Sequence, residues 1–331
     1  MKGYLITKLL DGPDELVLRT DLSPAEPEQE EVQVRVVAAG LNFFDILQIQ
    51  GKYQWKPPLP FICGSEWSGI ILRSTVPEFK PGDPVFGSSH SLAEIITAKA
   101  QNVRHIPKGM SFEQAAAFYV TYPTSYAGLI VRGQLKAGEY CLIHAAGGGV
   151  GLAAVQIAKA LGAIVIATAG SAEKLAVAKA NGADFIINYR DKDWTDQVKK
   201  VTRGHGADVV YDPVGLVEES TRCIAWNGRI VVIGFAKGTF EKLPTNRILL
   251  KNISIVGLHF GAYSNFEPET IQSTWKGLYE IFAEGKLNPV VYSKIFNLET
   301  VPQAMNALAS RETFGKVIVK VSNDHKSDSK L

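Results

Sequence analysis

Residues 31–40, EVQVRVVAAG, open with polar and apolar positions in alternation and are rich in valine. A period of two predicts a half-buried β-strand. Further on, Pro81-Gly82-Asp83 precedes a short apolar run, a turn that feeds a strand. Residues 91–107 continue in short strand-like pieces. The period changes at residue 111. Ser111 and Gln114 have capping-box spacing, and a single alanine-rich helix is predicted to follow. Beyond it strands and helices alternate. The predicted strands are 140–145, 164–168, 185–188, 209–211, 229–233 and 253–256. The predicted helices are 149–161, 172–181, 195–202 and 218–224. That alternation predicts βαβ units and a doubly wound parallel sheet, the α/β class. After residue 262 the pattern gives one helix, TIQSTWKGLYEIFAEGKL, and then short strand-like segments ending in GKVIVK. These last strands have no partner in the parallel half, so they are expected to return to the β-rich first part.

A length of 331 residues suits about two domains. Hydrophobic residues make up 46% and charged residues 21%, enough for a full core. The formal net charge of +2 gives no broad basic field, which argues against nucleic acid and an acidic membrane surface as partners. Cys63, Cys141 and Cys223 lie far apart, with no CxxC pair. Neither a disulfide framework nor a zinc knuckle is expected, and the usage fits a reducing compartment. The first residues show no secretory or mitochondrial presequence. No apolar run reaches the ~18 residues a membrane helix needs. The polar tail VSNDHKSDSKL, 321–331, reads as disordered, and Ser329-Lys330-Leu331 reads as a peroxisomal address. The expected partner there is an import receptor; without that address the chain would be cytoplasmic.

Ala146-Gly147-Gly148-Gly149-Val150-Gly151 is an A-x-G-x-x-G form of the dinucleotide fingerprint, placed between a predicted strand and helix. Small residues there allow a tight turn and close backbone approach to a pyrophosphate. The helix N-terminus adds N–H groups aimed at the phosphates. A site for NAD usually carries an acid at the end of the second strand, ~20 residues on. Here that strand ends at Ala169, Gly170 and Ser171, without a carboxylate. Lys174 lies one helical turn further, and Tyr189 follows the third strand. This combination reads as NADPH, since a lysine can pair with the 2′-phosphate. Glu173 opposes that reading only if it, rather than Ser171, faces the ribose.

The chain resembles the zinc-independent medium-chain dehydrogenase/reductases, in their quinone oxidoreductase (zeta-crystallin-like) branch. The resemblance covers about residues 1–320. It rests on GLNFFDILQIQGKY (40–53), PGDPVFG (81–87), TYPTSYAGL (121–129), AAGGGVG (145–151), GADFIINYR (182–190), DVVYDPVG (208–215), WNGRIVVIGFAKG (226–238) and GKVIVK (315–320). It implies a GroES-like β-rich catalytic domain split around a Rossmann domain, with NADPH in the cleft between them and a homodimer as the assembly. The corresponding boundaries are 1–124 for the first part of the catalytic domain, 125–262 for the Rossmann domain and 263–320 for the return. In zinc-dependent relatives a cysteine stands in the segment matching GLNFFD and a histidine stands in GHE. Here those places hold Asn42 and Ser65. Cys63 is two residues off and has no neighbouring Cys or His, whereas a catalytic zinc needs about three protein ligands. No metal is expected.

The resemblance also implies site roles. Asn42, Asp45 and Tyr53 line the catalytic cleft, with Tyr53 donating a hydrogen bond to the acceptor oxygen. Thr124 contacts the nicotinamide carboxamide. Gly148, Gly149 and Val150 hold the pyrophosphate. Lys174 and Tyr189 hold the 2′-phosphate, with the cofactor-binding Ser171 at the ribose. Phe235 and Phe260 sit near the nicotinamide half, and Gly315 and Lys316 close the site. Asp45 is read as a helix cap or ion-pair member and is given no proton-transfer role. His144 and His259 are read as structural. Without a metal to polarise an alcohol, the expected chemistry is hydride transfer to an acceptor that is already electrophilic, a quinone or an α,β-unsaturated carbonyl. A 2-enoyl thioester (enoyl-CoA) reductase is the alternative, and an NADPH-binding crystallin-like or RNA-binding protein with little turnover is the alternative of another class.

Overall fold

The computed structural model describes residues 1–322, so the expected address at 329–331 lies outside the described residues. The chain forms two units. One is built from Met1–Val120 and the segment from Pro289 onward, the other from Thr121–Asn288. No helix among the described residues is long and apolar enough to cross a membrane.

The first unit is built on the strand Glu31–Leu41. It pairs antiparallel with Glu66–Ser74, Ile95–Lys99 and the returning strand Val317–Lys320. Pro84–Ser88 and Val103–His105 extend the sheet beyond Glu66–Ser74. Alternation sorts the side chains. Val32, Val34 and Val36 pack with Trp67, Ile71 and Val85 in one core. Ala39 and Leu41 pack with Ile46, Ile49, Val317 and Val319 in another. Each such buried aliphatic side chain contributes about 1.5–3 kcal/mol. The pairing of Val317–Lys320 with Glu31–Leu41 is the expected return. It begins later than read from the sequence, at Pro289 rather than residue 263. The helix Pro268–Ala283 stays in the second unit, where Gly277 leaves room for the Tyr126 ring. Val321 and Ser322, read as the start of the tail, are bonded to the carbonyls of Val37 and Val36.

The second unit holds six parallel strands in the order Phe185–Asn188, Ile164–Ala169, Tyr140–Ile143, Ala207–Asp212, Ile224–Val232, Ser254–Gly257. In order of appearance this is 3-2-1-4-5-6, the doubly wound arrangement whose ligands bind where the order reverses. The reversal lies between Tyr140–Ile143 and Ala207–Asp212. Two sequence expectations need correction. The expected helix 218–224 ends at Ser220, because the Ser220 and Thr221 hydroxyls bond back to Leu216 and Glu218 carbonyls, and Ile224 already pairs with Ala207. The single helix expected from Ser111 is broken. Its capping box forms, but the first helix is only Phe112–Ala116, and a second starts at Thr121. Pro123 has no N–H and crowds the preceding turn, so one helix cannot run through residues 119–123.

Candidate active site

The first set of candidate residues gathers at one end of the Glu31–Leu41 strand. Asn42 follows the strand directly and starts the helix Phe43–Ile49. Its backbone N–H donates to Asp45 Oδ2 at 2.7 Å, the return half of a capping box. Asp45 Oδ1 accepts from the Ser65 hydroxyl. The Asn42 amide Nδ2 donates to Glu66 Oε1 at 2.9 Å, and Lys316 Nζ donates to Asn42 Oδ1 at 2.6 Å. Lys316 also forms an ion pair with Glu66, whose second oxygen accepts from Val120 N at 2.9 Å. Asp45 and Glu66 are fully buried and Lys316 nearly so.

Two glycines make room for this cluster. A Cβ on Gly40 would lie 2.9 Å from Lys316 Cε and 3.1 Å from Glu66 Cγ. Gly315 has φ +59°, and a Cβ there would meet the Val290 carbonyl at 2.5 Å. Gly315 is therefore required by the path of the chain, which turns Lys316 inward. Burial pushes the Asp45 carboxyl up to about 6; the Ser65 and Asn42 bonds and the nearby Lys316 oppose the rise, and Glu66 adds to it. Tyr53 stacks on Phe44 with centroids 5.1 Å apart, and burial followed by the Asp45 charge raises its phenol. Burial likewise pushes the Cys63 thiol up, which removes it as a thiolate nucleophile or ligand.

The places matched by zinc ligands in zinc-dependent relatives now hold an amide oxygen already taken by an ammonium and a hydroxyl committed to Asp45. A divalent cation there would meet the Lys316 charge at close range. The donor set does not fit a metal.

The second set lies in the parallel-sheet unit. The glycine loop leads into the helix Gly149–Ala160, with Gly148 as its extended N-cap. A Cβ on Gly151 would lie 2.2 Å from the Ala145 carbonyl, so the helix packs on the turn as only glycine allows. A Cβ on Gly148 meets only that carbonyl, at 3.4 Å, so this backbone stands open. The Lys174 stem crosses Gly147, where a Cβ would come within 2.6 Å of it. Ser171 caps the helix Ala172–Ala180 by accepting from Lys174 N. Over Gly170 lie Tyr189 and Arg190: a Cβ there would be 3.2 Å from the Tyr189 hydroxyl and 3.0 Å from Arg190 Nε. The second strand's end therefore carries a guanidinium and a phenol over Gly170, and the stem of Lys174 lies on Gly147 of the glycine loop. This cradle fits a dinucleotide phosphorylated on its ribose.

Arg190 was missed by the sequence reading, although it directly follows the chosen Tyr189. Glu66 was missed as well, because its partner Lys316 is 250 positions away. Thr124 lies half-buried on the helix Thr121–Tyr126. Its neighbour Ser125 ties that helix to the glycine-loop helix through Val150 O at 2.8 Å and to Tyr211 at 3.0 Å. Phe235 follows the fifth strand, edge-on to Phe240 at 5.0 Å. Phe260 starts a short turn of helix after the sixth strand, next to the exposed His259. His144 is fully buried before the glycine loop. Its Nε2 faces Ser220 Oγ, which gives its own proton to the Leu216 carbonyl, and its Nδ1 faces Thr168 Oγ1. That pattern assigns a neutral ring protonated on Nε2, and burial lowers its pKa accordingly.

Residues 28–132 match the alcohol dehydrogenase GroES-like domain, and residues 149–283 match the zinc-binding dehydrogenase domain. The quinone oxidoreductase-like protein 2 homolog of Nematostella vectensis is 37% identical over 92% of this chain and 85% of its own. The quinone oxidoreductase of Thermus thermophilus, solved also in complex with NADPH, superposes with a TM-score of 0.85 at 34% identity, covering 97% of this chain and 100% of that one. The CurK enoyl reductase gives a TM-score of 0.86 at 29% identity over 97% of this chain and 99% of that one.

Proposed function

The chain belongs to the quinone oxidoreductase family of medium-chain dehydrogenases/reductases, and we propose that it is an NADPH-dependent, metal-independent reductase of quinones or α,β-unsaturated carbonyls. The observation that carries this reading is the acid-free strand end at Gly170, flanked by Lys174, Tyr189 and Arg190 beside an open glycine loop. Gly148, Gly149 and Val150 would hold the pyrophosphate, and the cationic pair the 2′-phosphate. When bound, NADPH supplies a hydride. The chain's own contribution is to orient the cofactor, exclude water and present polar groups to the acceptor. Asn42 is held rigid by Glu66 and Lys316, and Tyr53 beside Asp45 offers a phenol to an acceptor oxygen.

The test is NADPH oxidation by the pure protein against ortho- and para-quinones, a simple enone and a 2-enoyl-CoA. Turnover of quinone or enone with NADPH supports the reading, and equal use of NADH defeats the cofactor assignment. The likeness to an enoyl reductase favours a second reading, 2-enoyl thioester reduction, which a preference for the enoyl-CoA would establish.

We also propose a homodimer. The strand Ser254–Gly257 is a sheet edge, and Leu249, Leu250 and Phe266 stand exposed in the same unit. Light scattering reads the mass directly. The Ser329-Lys330-Leu331 end supports peroxisomal import through a receptor; residues appended after Leu331 should abolish it.

A further inference from the structure

Two buried carboxyl groups and one buried ammonium share the cluster around Asn42. Lys316 is committed to Glu66 and to the Asn42 amide. Asp45 therefore carries the surplus acid. The groups that face it are Lys316, just before the returning strand, Glu66 at the start of the strand Glu66–Ser74, the Cys63 thiol and the Tyr53 phenol. Its two hydrogen-bond partners differ in kind. The Asn42 N–H can only donate. The Ser65 hydroxyl can donate and accept, and Ser65 is partly exposed whereas Asp45 is fully buried. Of these two partners only the Ser65 hydroxyl can pass a proton on.

We propose that Asp45 and Ser65 form a proton relay that protonates the oxygen of the reduced acceptor. This rests on the reductase reading. The Ser65 O–H bond breaks as the acceptor's O–H bond forms. The Asp45 O–H bond breaks as the Ser65 hydroxyl is restored. Once the product has left, a solvent proton reaches Asp45 by the reverse passage through the Ser65 hydroxyl, and no electrons move in these steps; the reducing equivalents come from a dihydronicotinamide. The charge count favours this direction. An acceptor anion formed beside a surplus carboxylate would be repelled by it, and a neutral, protonated Asp45 removes that repulsion while supplying the proton. The raised Asp45 carboxyl accords with a group that carries a proton in part of the population near neutrality.

The experiment compares wild type, Ser65→Ala, Ser65→Thr and Asp45→Asn as full-length protein. In the cofactor-free state, carbonyl infrared or 13C NMR titration should find one carboxyl titrating near 6, absent from Asp45→Asn. In turnover, kcat should fall as pH rises through this titration. Ser65→Ala and Asp45→Asn should each lose about 100-fold in kcat, within the range of general acid catalysis, with the NADPH KM within about twofold and the pH limb gone. Ser65→Thr, which keeps the hydroxyl, should recover most of the rate and the limb. An Asp45 that titrates with ordinary carboxylates overturns the relay, as does a Ser65→Ala enzyme with wild-type kcat and pH profile. A wild-type protein that reduces no member of the acceptor panel overturns the reductase reading, and the relay falls with it.

Discussion

Lys316 shows how one side chain can decide what a site is able to do. Its ammonium is buried between Glu66 and the Asn42 amide, and those two are bonded to each other as well. Lys316→Met should leave an uncompensated buried carboxylate and cost about 3–5 kcal/mol in urea unfolding, much of it recovered in Lys316→Met/Glu66→Gln. A single variant as stable as the wild type would mean that the pair is not a working buried ion pair. Asp45 makes a second prediction at this scale. Its folded carboxyl is raised to about 6 from the ordinary 3.8, so its stabilising contribution is fully present below about 3.8 and is lost as pH rises through about 6. The difference corresponds to about 3 kcal/mol. Wild type should therefore lose stability relative to Asp45→Asn between pH 4 and 7, as read by denaturant melts at each pH. His144 has the opposite sign. Its depressed pKa means that its contribution is present above about 6.5 and is lost as pH falls.

At the scale of elements, most strands and helices were legible because their periods are clean and their boundaries carry turn residues. The strand Phe185–Asn188 and the Ser111 capping box form where the spacing placed them. Local pattern failed where a tertiary partner or a backbone clash decided the outcome. Pro123 breaks a helix that composition alone would continue. The helix Pro268–Ala283 belongs to the second unit because Gly277 seats Tyr126, a contact invisible in the order of residues. The glycine loop separates folding from binding. Gly151→Ala drives a Cβ to 2.2 Å from the Ala145 carbonyl and should lose both stability and NADPH binding. Gly148→Ala meets the same atom only at 3.4 Å. It should keep its melting midpoint within a few degrees yet weaken NADPH binding at least tenfold, since the methyl stands on the open backbone proposed to hold the pyrophosphate. Equal losses in the two variants would show that the loop serves packing alone.

For the whole molecule, the family and the two-part layout could be read from motifs. The buried cluster could not, because it joins residues 42, 66 and 316 through the returning strand. Arg190 directly follows Tyr189 and shares its local signal. Selection of a 2′-phosphorylated cofactor is proposed to rest on Lys174 and Arg190. Each charge-assisted contact contributes about 1.5–3 kcal/mol. The most direct measurement is the Kd for NADPH and for NADH, by cofactor fluorescence titration, in wild type and in Lys174→Ala/Arg190→Ala. Wild type should prefer NADPH by about 100-fold or more, and the double variant should bind both cofactors within a few-fold of each other, with NADH affinity unchanged. Equal affinity of the wild type for the two cofactors, or a preference that survives in the double variant, would contradict the account.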